Sequence, residues 1–550
     1  MNKLNLMAFG LMGLAFAACS SDEPNPTPDT NRDGNSFIAI NVVNPAGVAS
    51  RDDEGDPNDG IQAPSYENGT DKENKIENAR CYFFDNAGNA VPVTADSKNW
   101  TTFKPGNPEG QQPGSNVEII CDGTVILQLD ANSGQQIMPD WMVVLLNVPT
   151  NNAALNGTLS LAQLKDVVFS YSEAQLRDIV AGTNSFMMSN SVFRGADGSL
   201  VMMETNLINP TTGKNYIQSS QELAMEAPVD VYVERVSAKM RITATDNAEG
   251  FKFPVLTESS DPSAKNQYTF NDKKVFVKIL GFVPTVLNTD TKLIKSIDAS
   301  WTSADLGFTW NHPSNHRSYW ATSVAPAEFK RFFSFNDAKA DGATAAKYCL
   351  ENTTDAEKTK MLVAAQIIEE DGTPMEISEF NGNRYPFAKL PEVIASDLQK
   401  DGYKKADNTA ILPADISFAA VDQTIDKGRY GVSAQVAAGS YLDIDGTEID
   451  ASVINGRLAL IPTMIWKNGY SYYYFDVKHY GKPETPGEFG VVRNHIYETN
   501  ITDVFGLGTP VFDPELPIDP EKPSEKYSYL AAKVNILAWH IVRNNIILGK

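Results

Sequence analysis

Apolar residues in this chain come in short β-branched and aromatic runs that stop at Gly, Asn, Asp or Pro, and that rhythm admits few folds. Arg80-Cys81-Tyr82-Phe83-Phe84 runs into the turn Asp85-Asn86-Ala87-Gly88-Asn89, and Ala90-Val91-Pro92-Val93 follows. Residues 117–120, 124–129 and 141–148 repeat the form, and residues 37–43 make an earlier run bounded by Asn35 and by Asn44-Pro45. Extended segments cut in this way favour packed β-sheets over a wound α/β sheet. The fold expected is all-β, with helical insertions at residues 160–179 and 327–346.

A chain of 550 residues exceeds one ordinary core, so at least two domains are expected. Residues 229–242 alternate as one long strand after Pro228, which places the boundary there. The first domain then covers 52–227 and the second 228–509. Further strands are expected at 274–282, 458–466 and 470–478. Pro510, Pro514, Pro517, Pro520 and Pro523, interspersed with acidic residues, predict a stiff linker over 510–526. The ending, 527–550, is strongly β-prone, and Leu530, Ala532, Val534, Ile536 and Ala538 share one face by period two. Such a strand either folds back on its own domain or pairs with another molecule's open sheet.

The N-terminus reads as an export signal over residues 1–18. Lys3 supplies the positive end, residues 4–16 are apolar, and Ala17-Ala18 lead into Cys19. Ala17-Ala18-Cys19 resembles a bacterial lipobox, so Cys19 is expected to be acylated and to become the new N-terminus. Residues 20–35 have the composition of a flexible tether, and Ser20-Ser21-Asp22-Glu23 looks like a short acidic export tag. No later apolar run approaches the ~20 residues a spanning helix needs. A net charge of −23 argues against nucleic acid as a partner. Beyond Cys19 lie Cys81, Cys121 and Cys349, with no CxxC pair. A Cys81–Cys121 disulfide and three buried thiols both remain open.

No residue pattern selects catalysis, a cofactor or a metal, and the chain is read as a non-enzyme. His312 and His316 are four apart, but Pro313 lies between them and no acid follows His312, which excludes a zinc-protease helix. Asp443-Ile444-Asp445-Gly446-Thr447-Glu448 lacks calcium-loop spacing and reads as a hairpin turn at Asp445-Gly446. Gly506-Leu507-Gly508 lacks the third glycine of a phosphate cradle, and no GxSxG elbow occurs. The aromatic run Tyr470-Ser471-Tyr472-Tyr473-Tyr474-Phe475 is expected to put one face in a core and the other at the surface.

Several segments together resemble the FimA/Mfa-type fimbrillins, the type V pilins, most of all the shaft subunit of the minor, Mfa-type fimbria. They are the lipobox at Cys19, Cys81-Tyr82-Phe83-Phe84-Asp85-Asn86-Ala87-Gly88, residues 141–149, Phe186-Met187-Met188-Ser189 and Glu234-Arg235-Val236-Ser237-Ala238-Lys239-Met240. Arg493-Asn494-His495-Ile496-Tyr497 looks like the family's last framework strand, and Ala532-Lys533-Val534-Asn535-Ile536-Leu537-Ala538-Trp539 like its C-terminal strand. The resemblance implies two transthyretin-like β-sandwich domains plus a C-terminal donor strand, 527–550. It implies an outer-membrane lipoprotein precursor that becomes part of an extracellular fimbrium supporting adhesion, biofilm formation or host colonisation. Residues 19–51 would be removed by a trypsin-like or Arg-specific protease cutting between Arg51 and Asp52, with Arg32 a weaker site. The strand bearing Ile38, Ile40 and Val42 would leave a groove. A neighbour's donor strand, with Leu530, Ala532, Val534, Ile536, Ala538 and Trp539, would fill it. Implied partners are other copies of the chain, anchor and tip pilins, and host or bacterial surface receptors. The linker is shorter than in the nearest relatives, and residues 350–409 look inserted. The alternatives are a lipid-anchored glycan-binding protein, or a tip or anchor pilin of the same family.

Overall fold

The computed structural model describes residues 35–44, 67, 69–106, 118–128, 138–150, 152–194, 201–244, 250–257, 266–298, 321–420, 432–479, 487–520, 534–537 and 540–548. Cys19, Arg51, Asp52, Leu530, Ala532, Ala538, Trp539 and the His312/His316 pair lie outside these residues.

The fold is all-β with short helices, built on two large sheets. The first contains β1 (Asn35–Asn44), β2 (Ala79–Phe84), β3 (Trp100–Phe103), β4 (Glu118–Gln128), β5 (Trp141–Leu146), β6 (Met188–Asn190) and β7 (Val229–Arg235). Their lateral order is β3-β2-β5-β6-β7-β1-β4. The sheet curls until its ends meet, through a bridge between Gly106, just past β3, and Asp122 of β4. A side chain at Gly123 would strike the Phe103 ring, so glycine is what permits this close approach.

β2 and β5 are buried on both faces, which explains their unbroken apolar runs. Cys81, Phe83, Met142 and Val144 enter one core together with Ile38 and Ile40 of β1. Tyr82, Phe84, Val143 and Leu145 enter a second core, closed by Leu155, Leu161, Leu164 and Phe169. Cys81, Cys121 and Cys349 are buried free thiols. Burial pushes the Cys121 thiol up to about 12, so it is an unreactive apolar filler.

The second sheet contains β8 (Ser237–Ala244), β9 (Lys252–Thr257), β10 (Phe276–Thr285), β11 (Lys347–Leu350), β12 (Lys360–Ile368), β13 (Tyr470–Asp476) and β14 (His495–Phe505). The order is β11-β8-β14-β9-β10-β12-β13, with Thr509–Pro510 added beside β13. Two C-terminal strands, β15 (Val534–Leu537) and β16 (His540–Leu548), pair with each other and with β14. A separate core lies among residues 380–465, around Leu390, Ile394 and Leu398 of the helix Leu390–Lys400. The insertion expected over 350–409 is therefore displaced: β12 within that range is a strand of the large sheet, and the added core lies among residues 380–465.

Several expectations need correction. The long alternating strand 229–242 is two strands in two different sheets. The change comes at Val236, whose N–H bonds Met187 O, so the crossing lies later than the boundary before residue 228. The helix expected over 160–179 is two helices, Leu161–Lys165 and Glu173–Ala181, with the strand Val168–Ser170 between them. Each helix starts at its own capping box, Ser160 with Gln163 and Ser172 with Gln175, and the second cap restarts the chain after the strand. Of residues 327–346, only Phe335–Lys339 is α-helical. Within 458–466, Ala451–Ala459 is a helix that runs into the strand Thr463–Trp466. The aromatic run is packed on both faces, with Tyr472, Tyr473 and Phe475 all buried.

Residues 510–520 are not a free leash. Val511 N–H bonds Tyr470 O, Ile518 N–H bonds Phe333 O, and both side chains are buried. Extended Pro-rich backbone makes no bonds to itself, so its amides and apolar side chains are free to dock on the sheet. The hairpin turn at Asp445-Gly446 forms between Ser440–Leu442 and Glu448–Asp450. Gly446 takes φ +78°, and Asp443 Oδ1 accepts from the N–H groups of Asp445 and Thr447.

Candidate assembly site

β1 sits inside the first sheet, not at its edge. It runs antiparallel to β4 with Phe37 opposite Ile126 and Ile38 opposite Val125, and parallel to β7 with Ile40 opposite Val229. Where β7 has not yet begun, Phe37 N–H and C=O bond the C=O and N–H of Gln218 at 2.8 Å each. Both edges of β1 are thus satisfied along its length. Ile38 and Ile40 point into the core at 0% and 1% exposure. In the register Val42 stands opposite Cys121 and Val231. Among the described strands, β4 pairs only with β1. Loss of β1 would leave β4 hanging by the Gly106–Asp122 bridge and by the Gln128 N–H to Val93 O bond, beside an open apolar slot.

The C-terminal hairpin is placed differently. β15 and β16 lie against β14, with Val534 opposite Thr499 and Ile536 opposite Ile541. β14 already pairs with β8 over residues 496–501 and with β9 at 504–505. The hairpin is therefore an addition to the sheet, whereas β1 is a member whose removal divides one.

Between the two sheets lies a buried polar junction. Glu73, 1% exposed, accepts from Tyr348 Oη at 2.7 Å and from Thr70 N–H at 2.8 Å, and pairs with Lys239 Nζ at 3.0 Å. Arg235 donates from Nε to Glu73 O at 3.1 Å and also to Asn74 Oδ1. Arg493, fully buried, pairs with Glu351 at 3.2 Å and donates to Leu293 O and Lys292 O. Asn494 takes φ +58° so that its Oδ1 caps Arg235 N–H while its own N–H reaches Ser237 O. Tyr497 Oη accepts from Val492 N–H and meets His479 Nδ1 at 3.0 Å. The Arg-Asn-His-Ile-Tyr segment therefore ties the crossover at Val236 to the last framework strand.

Glu234 and Lys295 form a further buried pair at 3.4 Å. Burial pushes the Glu234 carboxyl up, against the pull of Lys295 and Arg493. At Glu73 burial also pushes up, but Lys239, Thr70 N–H and Tyr348 Oη together outweigh it and hold the carboxyl below its ordinary range. A carboxylate lowered in the folded state gives its full stabilisation above the unfolded value and loses it as pH falls through the folded one. Wild-type protein should therefore lose more thermal stability than Glu73→Gln when titrated from about pH 5 to about pH 3. Parallel melting curves of the two proteins would disprove this.

Sequence reasoning marked Glu234 to Lys239 and Arg493 to Tyr497 only as pieces of a resemblance and missed Glu73 and Glu351. Arg235 and Lys239 inside apolar strands signalled that buried acids must exist, but Glu73, in the polar stretch Asp71-Lys72-Glu73-Asn74-Lys75, carries no local mark of burial. Among the described residues no group of three or more His, Cys, Asp or Glu is placed to hold a metal ion.

Residues 464–545, from the strand Thr463–Trp466 through β13 and β14 into the C-terminal hairpin, match the profile of a family described as major fimbrial subunit protein type IV, fimbrillin, C-terminal. Over these residues the chain is similar to the fimbrillin superfamily. No curated protein matches the chain. Among solved structures, a fimbrilin (FimA) from Porphyromonas gingivalis W83 is 14% identical, with a TM-score of 0.30 over 92% of this chain and 97% of that one. The tip fimbrial protein Mfa3 from Porphyromonas gingivalis is 11% identical, with a TM-score of 0.28 over 84% and 94%. A fimbrial assembly protein from Parabacteroides distasonis ATCC 8503 is 10% identical, with a TM-score of 0.27 over 76% and 98%. The matched region contains Arg493 to Tyr497, all of β15 and residues 540–545 of β16.

Proposed function

We propose that the chain is a structural, non-catalytic shaft subunit of a cell-surface fimbria, matured by loss of β1 and polymerised by strand exchange between copies. The observation that carries this is the interior place of β1. A strand supplied by the extreme N-terminal end of the fold, and joined to the rest by residues 45–66, is the kind of element that one cut can release. Its departure exposes two sets of unpaired amides and an apolar slot, and an incoming strand of alternating pattern restores both. Val534 and Ile536 supply such a pattern, and Ile38 and Ile40 are the side chains they would replace. A slip by one residue would bury Lys533 and Asn535, so the register is firmly set.

In the same scheme Cys19 anchors the precursor to the outer membrane through an acyl chain, and cleavage between Arg51 and Asp52 frees the subunit into the extracellular fimbrium. Two domains, 52–227 and 228–509 by sequence, carry the shaft. Tip and anchor pilins and surface receptors are the expected partners at the filament's ends and sides. Changing Cys19→Ala should abolish lipid labelling and hold the precursor in the inner compartment, and unchanged labelling would remove the anchor from the scheme. N-terminal sequencing of purified fibres should read Asp52 first. Peptides from residues 20–35 in those fibres would show that β1 is retained.

A further inference from the structure

The segment between the removable strand and β2 is fastened to the second sheet before it enters the first. Glu67 pairs with Lys239 at 3.2 Å and with Arg241 at 2.6 Å, and Arg241 is held from its other side by Glu498 at 2.5 Å. Six residues later Glu73 takes Lys239 and Tyr348 from strands β8 and β11, while its main-chain oxygen takes Arg235 from β7. The side of the segment nearer β2 is fastened too, since Asn147 accepts from Glu77 N–H and donates to Lys75 O. Gly69 leaves room for this fastening, since a Cβ there would displace the ends of the Asn74 and Arg235 side chains.

β1 ends at Asn44, and residues 45–66 contain a single basic residue, Arg51. A cut there separates a strand held by a ladder from a segment held by ions. We propose that Glu67 and Glu73, seated on Lys239, Arg241 and Tyr348, form a stop that keeps residues 69–78 docked on the second sheet when β1 departs. The inference rests on the strand-release function above and adds the place where release ends. Without the stop, fraying would run on to Ala79 and Arg80, which pair with Leu146 and Leu145 inside the first sheet. The slot awaiting a new strand would then lose its far wall. Glu73 and Glu67 are thus positioning residues for the exchange.

The test is hydrogen exchange on full-length protein before and after cutting with an Arg-specific protease. In cut wild type, residues 35–44 should disappear while residues 69–78 keep their protection. In Glu67→Gln/Glu73→Gln, cutting should speed exchange in 69–78 by about 100-fold, the size expected when a buried ion pair loses one partner. Tyr348→Phe leaves every charge in place and should show about 10-fold, which carries the test if the double variant does not fold. Loss of protection over 69–78 in cut wild type overturns the stop while leaving strand release intact. Exchange in both variants that does not respond to cutting also overturns it. Retention of β1 in cut wild type overturns strand release itself, and the stop with it.

Discussion

Ile40→Asp should leave the chain without a stable first sheet. Ile40 is 1% exposed in a core that also holds Ile38, Val125, Val144 and Val231, and these apolar neighbours offer a carboxylate no hydrogen bond or counter-charge. Even truncation of such a side chain to alanine costs about 2–5 kcal/mol, and an unpaired buried charge costs more. Stability of a whole domain is only about 5–15 kcal/mol, so a single substitution removes much of it. Denaturant unfolding followed by Trp100 and Trp141 fluorescence should show an early transition absent from wild type. An unchanged midpoint would mean that β1 is not a member of the sheet. An aspartate introduced instead at the exposed Lys72 should change the unfolding free energy by less than about 0.5 kcal/mol.

Glu351→Ala should be the most damaging change in the second sheet. Arg493 is fully buried, its Nη2 and Nε reach Glu351 at 3.2 and 3.4 Å, and it also donates to the main-chain oxygens of residues 292 and 293 and to Thr291 Oγ1. Removing Glu351 strands a guanidinium that cannot deprotonate, at a cost of about 3–5 kcal/mol. Replacing both partners, Glu351→Leu with Arg493→Met, should recover most of that loss, because neither member of this pair is then left as an uncompensated charge while Glu234 keeps Lys295. A double variant no more stable than Glu351→Ala would show that the guanidinium's bonds to residues 292 and 293 matter more than the ion pair. Chemical denaturation of the three proteins decides between these outcomes.

How far the sequence announced this molecule can be followed residue by residue. Cys81 to Phe84 and Trp141 to Leu146 were legible because strands buried on both faces are apolar without interruption. The N-terminal strand was legible from Phe37 to Val43, but not its interior position, since pairing depends on residues 118–128 and 229–235 far along the chain. Ser172 with Gln175 was a readable helix start that would have divided residues 160–179 correctly. The crossing at Val236 was legible as a change of phase, since the apolar positions Val229, Val231 and Val233 are odd and Val236, Ala238, Met240 and Ile242 are even, and the backbone changes sheets where the phase changes. The ion pairs at Glu73 and Glu351 join residues more than a hundred positions apart, and no local pattern encodes such partners. The Pro-rich stretch misled for a different reason. Its composition describes a chain alone in water, and the exposed edge of β13 gives residues 509–510 something to pair with.

The central claim is that β1 holds a place later taken by the C-terminal strand of another copy. Ile38 lies opposite Val125 in the register, so a strand that replaces β1 brings its own side chains beside Val125. The decisive measurement is disulfide trapping with Val125→Cys and Ile536→Cys in one chain, before and after cutting by an Arg-specific protease. The account predicts monomer before the cut and, after it, a ladder of covalent multimers on a non-reducing denaturing gel that collapses with reductant. Fibres that form after cutting without any such ladder, from Ile536 or from the neighbouring Val534→Cys, would contradict it.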